Sequence, residues 1–331
     1  MAIGPLYPLT FHPIFKERVW GGRRLQDLYD KALPPHVPVG ESWEISDRPG
    51  DVSVIANGAL AGIDLHWLAQ NRASELMGSA RLYKDRFPFL VKILDARETL
   101  SLQVHPPAAR ATKLGGEPKT EFWFVADAAP DAEIFVGLKA GCTREEFVQK
   151  IHAGTVASCL HRVRVHAGDA VFLPSGRVHA LGAGTVIFEI QQNSDTTFRV
   201  FDWNRKGLDG KPRQLHVKES LESIEFDDFE PALLRPQFEG STVQRASLVS
   251  HPLFTVEVRA LSEGAGVTLE SGIMHIIGVV QGTLLVRSGD KNLVLSAGQF
   301  CLIPSSVPGV MLRAHTIVTC LCVQPGEAAA L

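Results

Sequence analysis

The sequence predicts a mainly β chain with a few short helices, and three observations carry that reading. Apolar and β-branched runs of four to eight residues recur between Gly, Pro, Asn and Asp turns, as at 170–173, 185–190, 254–261, 283–287 and 300–303. Runs of that length and spacing are strands of a sandwich or a barrel. A strand-and-turn unit also occurs twice: Gly298-Gln-Phe-Cys-Leu-Ile-Pro304-Ser305 lies on Gly168-Asp-Ala-Val-Phe-Leu-Pro174-Ser175, 130 residues apart. Finally, helical spacing of apolar residues and helix-start signals are confined to short segments.

Taken in order, residues 8–15 read as extended, Val19-Trp20-Gly21-Gly22 as a turn, and 40–46 as an alternating strand. Asp64 can cap a helix over 65–77, in which Leu65, Leu68, Ala69 and Leu76 recur at helical spacing. Residues 87–94 and 100–105 form two apolar runs around a polar turn, with Lys92 inside the first. A Pro/Gly-rich loop over 106–118 precedes strands at 121–125 and 132–138, and Thr143-x-x-Glu146 is a capping box opening a helix to about 152. After a Gly/Pro loop at 205–212 and a short helix at 217–224, the acidic, proline-containing stretch 226–236 reads as a connector. It divides the chain into 1–240 and 241–331. Further strands are predicted at 274–280, 291–295 and 316–323.

With 331 residues, 45% hydrophobic and 21% charged, the chain has the make-up of a soluble globular protein able to bury a large core. A net charge of -3 without a basic run gives no electrostatic footprint for nucleic acid or an anionic membrane, so neither is an expected partner. The first residues lack a basic stretch followed by an apolar one, and the expected location is cytoplasmic. Five cysteines without C-x-x-C spacing suit buried thiols in a reducing compartment; Cys320 and Cys322 fall in what reads as a core strand. Oligomeric state is left open.

Gly168, Pro174, Gly176 and His179 stand at the spacing G-x5-P-x-G-x2-H. This resembles the second sequence motif of the cupin barrel, in which the histidine points inward and ligates a metal. The resemblance implies two cupin-like jelly-roll barrels, and Gly309 at the place of His179 in the repeat implies that only the first binds metal. Partner ligands are found upstream. Alternation along Leu100–His105 puts Gln103 and His105 on one strand face, and Glu121 opens the next strand beyond a loop. Gln103, His105, Glu121 and His179 together offer two imidazoles, a carboxylate and an amide oxygen. That set suits one Zn²⁺ per chain, and Mn²⁺, Fe²⁺ or Co²⁺ would also be accepted.

The segments FKERVWGGRRL, GESWEIS, LSLQVHP, PKTEFWFV, GDAVFLPSGRVHALGAGT and EIQQNSDTTFRVFDWNR resemble, in register, the type I phosphomannose isomerases of the short bacterial form. The resemblance covers the first two thirds of the chain and implies interconversion of mannose 6-phosphate and fructose 6-phosphate through a cis-enediol. It places Gln103, His105, Glu121 and His179 on the family's zinc ligands and Arg199 on its active-site arginine. One departure is His105-Pro106-Pro107-Ala108-Ala109-Arg110, where the family usually has acidic residues after the histidine-proline.

Such an isomerisation moves a proton between C1 and C2 and needs charge held at O1 and O2. Arg199, always charged, suits the oxygens. Glu189 is the first candidate for the proton carrier and Lys119 the second. Ser101 and Lys92, with Lys119 nearby, are the expected phosphate site. Gly115-Gly116-Glu117-Pro118-Lys119-Thr120 fails the spacing of a nucleotide phosphate loop. A metal-dependent dioxygenase and a non-catalytic sugar-binding cupin are the rival readings, since one fold hosts many functions.

Overall fold

In a computed structural model, which describes residues 4–327, the predicted strands form two pairs of antiparallel sheets. The first pair begins with a six-stranded sheet in the order Ile14–Gly22, Val39–Ile45, Phe89–Ala96, Thr185–Gln192, Glu121–Ala128, Ala170–Leu173. Opposite it lies a five-stranded sheet in the order Phe198–Phe201, Leu102–Val104, His179–Leu181, Glu133–Leu138, Leu160–Arg164. Leu94, Trp123, Val125 and Ile187 from the first sheet and Ile134, Val136 and Leu181 from the second share one buried core between them.

The second half repeats this plan. Its six-stranded sheet runs Glu239–Gly240, Val243–Ser250, Phe254–Leu261, Val318–Pro325, His275–Gln281, Phe300–Ile303, and a four-stranded sheet comprises Gly266–Thr268, Met311–Ala314, Thr283–Ser288 and Lys291–Ser296. Phe300–Ile303 takes the edge position of Ala170–Leu173, as the sequence repeat requires. Gly168 and Gly298, which open the two units, both have left-handed backbones (φ 95° and 78°) that favour glycine. The barrels expected from the sequence are not closed: among the described residues each sheet ends at two edges, and each half is a sandwich.

Strand Thr185–Gln192 has two working faces, because successive side chains alternate. Val186, Phe188 and Ile190 enter a core that continues into the second half, whereas Ile187 and Glu189 face the first sandwich's interior. Phe188 meets Phe300 at 5.2 Å between ring centroids, and Phe89 meets Phe254 at 6.4 Å.

The helices follow their local signals. Asp64 accepts a hydrogen bond from the Trp67 amide, but the expected 65–77 helix breaks at Arg72 into Leu65–Asn71 and Ala73–Met77. The Thr143 hydroxyl accepts from the Glu146 amide and opens Arg144–His152. Thr143→Ala is expected to cost about 1 kcal/mol in urea unfolding, the usual value of a lost cap. The short helix near 217 spans Val217–Ser223. Residues 19–22 do not turn. They end strand Ile14–Gly22, where a Cβ at Gly21 would strike the Gly40 backbone, so the paired glycines permit close strand passage with a register shift. Strands Leu160–Arg164 and Val243–Ser250 escaped the sequence reading because their alternate positions are charged or polar. All five cysteines are free and buried, and no described helix is long and apolar enough to cross a membrane.

Candidate active site

His179 and Gln103 are directly paired across neighbouring strands, and Arg199 pairs with Gln103 from the other side. Three site residues therefore share one row of the smaller sheet. His105 follows two residues after Gln103, and Glu121 faces them from the first position of its strand in the larger sheet. The strand alternation that suggested Gln103 and His105 is what aims both inward.

The two histidines are held in the same tautomer. His105 Nδ1 donates to the Thr196 carbonyl at 2.7 Å and His179 Nδ1 to the Arg177 carbonyl at 2.9 Å, because a carbonyl can only accept. Each Nε2 lone pair is thereby left for the site: His105 Nε2 lies 3.5 Å and His179 Nε2 3.1 Å from the Glu121 carboxylate. Ligating atoms of His105, Glu121 and His179 all fall within 4.8 Å of one another, and this is the one such cluster of His, Cys, Asp or Glu among the described residues. The Gln103 amide is 3.3 Å from His179 Nε2.

Buried His105 Nε2 and both Glu121 oxygens have no hydrogen-bond partner. Lys119 Nζ is 3.1 Å from Glu121 Oε2, an ion-pair contact without hydrogen-bond geometry. Orphaned acceptors cost stability unless something satisfies them. Burial pushes the His105 pKa down to about 3, helped by Lys119. Burial alone would raise the Glu121 pKa, but Lys119 and His105 override it and hold the carboxyl well below its usual range. A neutral imidazole beside an ionised carboxylate is the state a divalent ion requires, so these residues fit one.

Gln103 and Lys119, which touch the cluster, line a cavity of about 580 Å³ whose walls also include Trp20, Lys92, Ser101, Glu189 and Arg199. Glu189 is fixed twice: Oε1 accepts from Trp123 Nε1 at 2.8 Å, and Oε2 lies 3.1 Å from Lys92 Nζ. Lys92 also approaches Glu41 at 3.8 Å and stands 5.1 Å above the Trp43 ring. Its ammonium is thus shared between two carboxylates. Ser101 lines the same cavity as Lys92 and accepts from Arg199 Nε at 3.3 Å.

Arg199 donates through Nη1 to the Gln214 carbonyl at 2.8 Å and has no carboxylate within ion-pair distance among the described residues. Asp202, a sequence neighbour that might have paired with it, instead binds Arg205 and Arg213. Burial lowers the Arg199 pKa, and the like charge of Arg213 lowers it further. Trp123, Glu41, Trp43 and Arg213 were not anticipated. Alternation in Glu121-Phe-Trp123 did contain the signal for Trp123, whereas Arg213 comes from a loop with no motif. Pro107-Ala108-Ala109 enters a one-turn helix, Ala108–Ala111, and Arg110 anchors it to the Glu222 carbonyl at 2.9 Å.

Glu41 gives the site an acid limit. It accepts from Trp43 Nε1 at 2.6 Å and Arg18 Nε at 2.7 Å; burial would raise its pKa, but Lys92 and Arg18 outweigh burial and bring it to about 2. A depressed carboxylate stabilises the fold above its unfolded pKa and loses that contribution as pH falls through the folded one. Stability on the order of 3 kcal/mol should therefore disappear between about pH 4.5 and pH 2. Denaturant titrations should show a shallower pH slope for Glu41→Gln across that window; equal slopes would remove Glu41 from the account.

Residues 9–138 match the family model described as phosphomannose isomerase type I, catalytic domain. A mannose-6-phosphate isomerase of Bacillus subtilis (strain 168) is 37% identical over 299 residues, covering 90% of this chain and 93% of that protein. One of Streptococcus mutans serotype c is 37% identical over 305 residues, covering 91% and 93%. The crystal structure of the Bacillus subtilis mannose 6-phosphate isomerase superimposes with a TM-score of 0.87 at 30% identity, over 96% of this chain and 99% of that one. A zinc-bound mannose 6-phosphate isomerase structure, 18% identical and covering 97% and 100%, shares the fold at a TM-score of 0.76. Similarity of that identity and extent shows that the chain belongs to the type I phosphomannose isomerase family.

Proposed function

We propose that the protein is a metal-dependent aldose-ketose isomerase that interconverts mannose 6-phosphate and fructose 6-phosphate through a cis-enediol. The observation that carries this reading is the buried His105–Glu121–His179 cluster, touched by Gln103 and Lys119 on the wall of a cavity that also presents Glu189 and a carboxylate-free Arg199. Gln103, His105, Glu121 and His179 would hold a divalent ion, Zn²⁺ by donor set and by the zinc named for the structural relative. Bound there, the ion supplies Lewis acidity toward sugar oxygens.

Proton movement falls to the chain's own groups. Glu189 is oriented by Trp123 and Lys92 and is our first choice to carry the proton between C2 and C1; Lys119, beside Glu121, is the second. Arg199 meets the oxygen charge that develops in the enediolate. Ser101 lies at the phosphate end, and Lys92 acts mainly by holding Glu189. These groups have work in an isomerisation and none in a sugar-binding module. The two sandwiches correspond, in this reading, to two cupin-like units, 1–240 carrying the chemistry and 241–331 without metal, and the buried free thiols suit the cytoplasm.

Purified protein should interconvert the two sugar phosphates, stop on chelation and recover with Zn²⁺, while unphosphorylated mannose reacts poorly. Metal-loaded protein that turns over neither sugar phosphate would overturn the proposal.

A further inference from the structure

We infer that Arg213, on the loop crossing the cavity mouth, is the cation that selects a phosphorylated sugar. This rests on the isomerase reading and adds to it the residue that reads the phosphate. A buried or half-buried phosphate needs a cation with uncommitted N–H groups. Most cavity cations are already occupied: Lys92 by Glu189, Lys119 by Glu121, and Arg18 by Glu41. Arg199 has no carboxylate but is assigned to the reacting oxygens, and Arg213, though it faces Asp202, shares that carboxylate with a second arginine.

Arg213 binds Asp202 through Nε (2.7 Å) and Nη2 (2.6 Å), which leaves Nη1 without a protein acceptor among the described residues while the side chain lines the cavity. Arg205 occupies the same carboxylate through Nε (3.1 Å) and Nη2 (2.9 Å) and gives its Nη1 to the Thr99 carbonyl at 2.6 Å. Asp202 is nearly buried and so clasps both ends of the 205–213 loop. Within it, Gly207 donates to the Lys211 carbonyl at 2.7 Å and the Asp209 carboxylate accepts from the Lys211 amide at 3.0 Å. The clasp fixes the Arg213 fork in place.

Charge balance points the same way. Arg205 and Arg213 share the single buried carboxylate Asp202, Arg199 beside them has none, and Glu98, 3.7 Å from Arg205, is largely exposed. This corner is short of negative charge, and a phosphate dianion beside Arg213 and the Ser101 hydroxyl would supply it.

Arg213→Met should raise KM for mannose 6-phosphate about 10- to 100-fold, the size of a lost charge-assisted hydrogen bond, with kcat within several-fold. Inhibition by inorganic phosphate should weaken by a similar factor. Arg213→Lys should recover part of the loss because charge returns without the fork, and it serves as the test if the methionine variant does not fold. Asp202→Asn, which loosens the clasp but keeps the cation, should raise KM less than Arg213→Met. A KM within twofold of wild type together with unchanged phosphate inhibition would overturn the assignment. Calorimetric titration of wild type and variant with inorganic phosphate keeps the two proposals apart: wild type that binds phosphate through Arg213 yet isomerises nothing would sink the isomerase reading alone.

Discussion

His179→Ala is expected to strip the bound ion and lower turnover at least about a thousandfold, because one of only two imidazoles is lost from the proposed donor set. Wild-type protein should carry about one ion per chain after dialysis, and the variant far less. The second half supplies an internal control. His275 pairs with Ile303 as Glu121 pairs with Leu173, so it occupies the repeat position of a proposed ligand, yet no comparable cluster surrounds it among the described residues. His275→Ala should therefore leave metal content unchanged. Full metal retention by His179→Ala would refute the proposed ligand set, and two ions in the wild type would refute the single site.

Arg199→Ala should lower kcat at least about a hundredfold while KM stays within several-fold, since its contact strengthens as charge builds on the enediolate. The resting geometry supports this: the guanidinium is held by Ser101 and a backbone carbonyl, with no carboxylate to neutralise it. Removing it should not unpair a buried anion, so its kinetic effect can be read without a large folding penalty. A steep rise in KM at unchanged kcat would instead place Arg199 at the phosphate and reverse the two ends of the sugar in the cavity.

The elements readable from the sequence are those whose signals are local. Alternation through Leu100–His105 aimed Gln103 and His105 together, the Gly168-to-His179 spacing located the third donor, and Thr143 announced its helix. What escaped depends on register between distant strands. Glu189 meets Lys92 because Thr185–Gln192 lies beside Phe89–Ala96 with those two residues opposite each other, and nothing in either segment specifies that alignment. The Asp202 clasp is similar: a carboxylate among three arginines in sequence gives no sign of which it chooses. The Gly21-Gly22 pair misled for the complementary reason, since glycines that allow a turn equally allow two backbones to pass closely.

Strand Thr185–Gln192 makes the second half more than an appendage. Glu189 points to the cavity, while its immediate neighbours Phe188 and Ile190 are sealed by the other half through contacts such as Phe188–Phe300. The lateral precision of the proposed proton carrier is therefore set from behind, by a back plate that the second half supplies. Removing residues 241–331 would wet that plate and loosen the carboxylate's strand. Substitutions at Phe300 should consequently show up in turnover as well as in melting temperature, although Phe300 lies in neither the cavity wall nor the donor cluster.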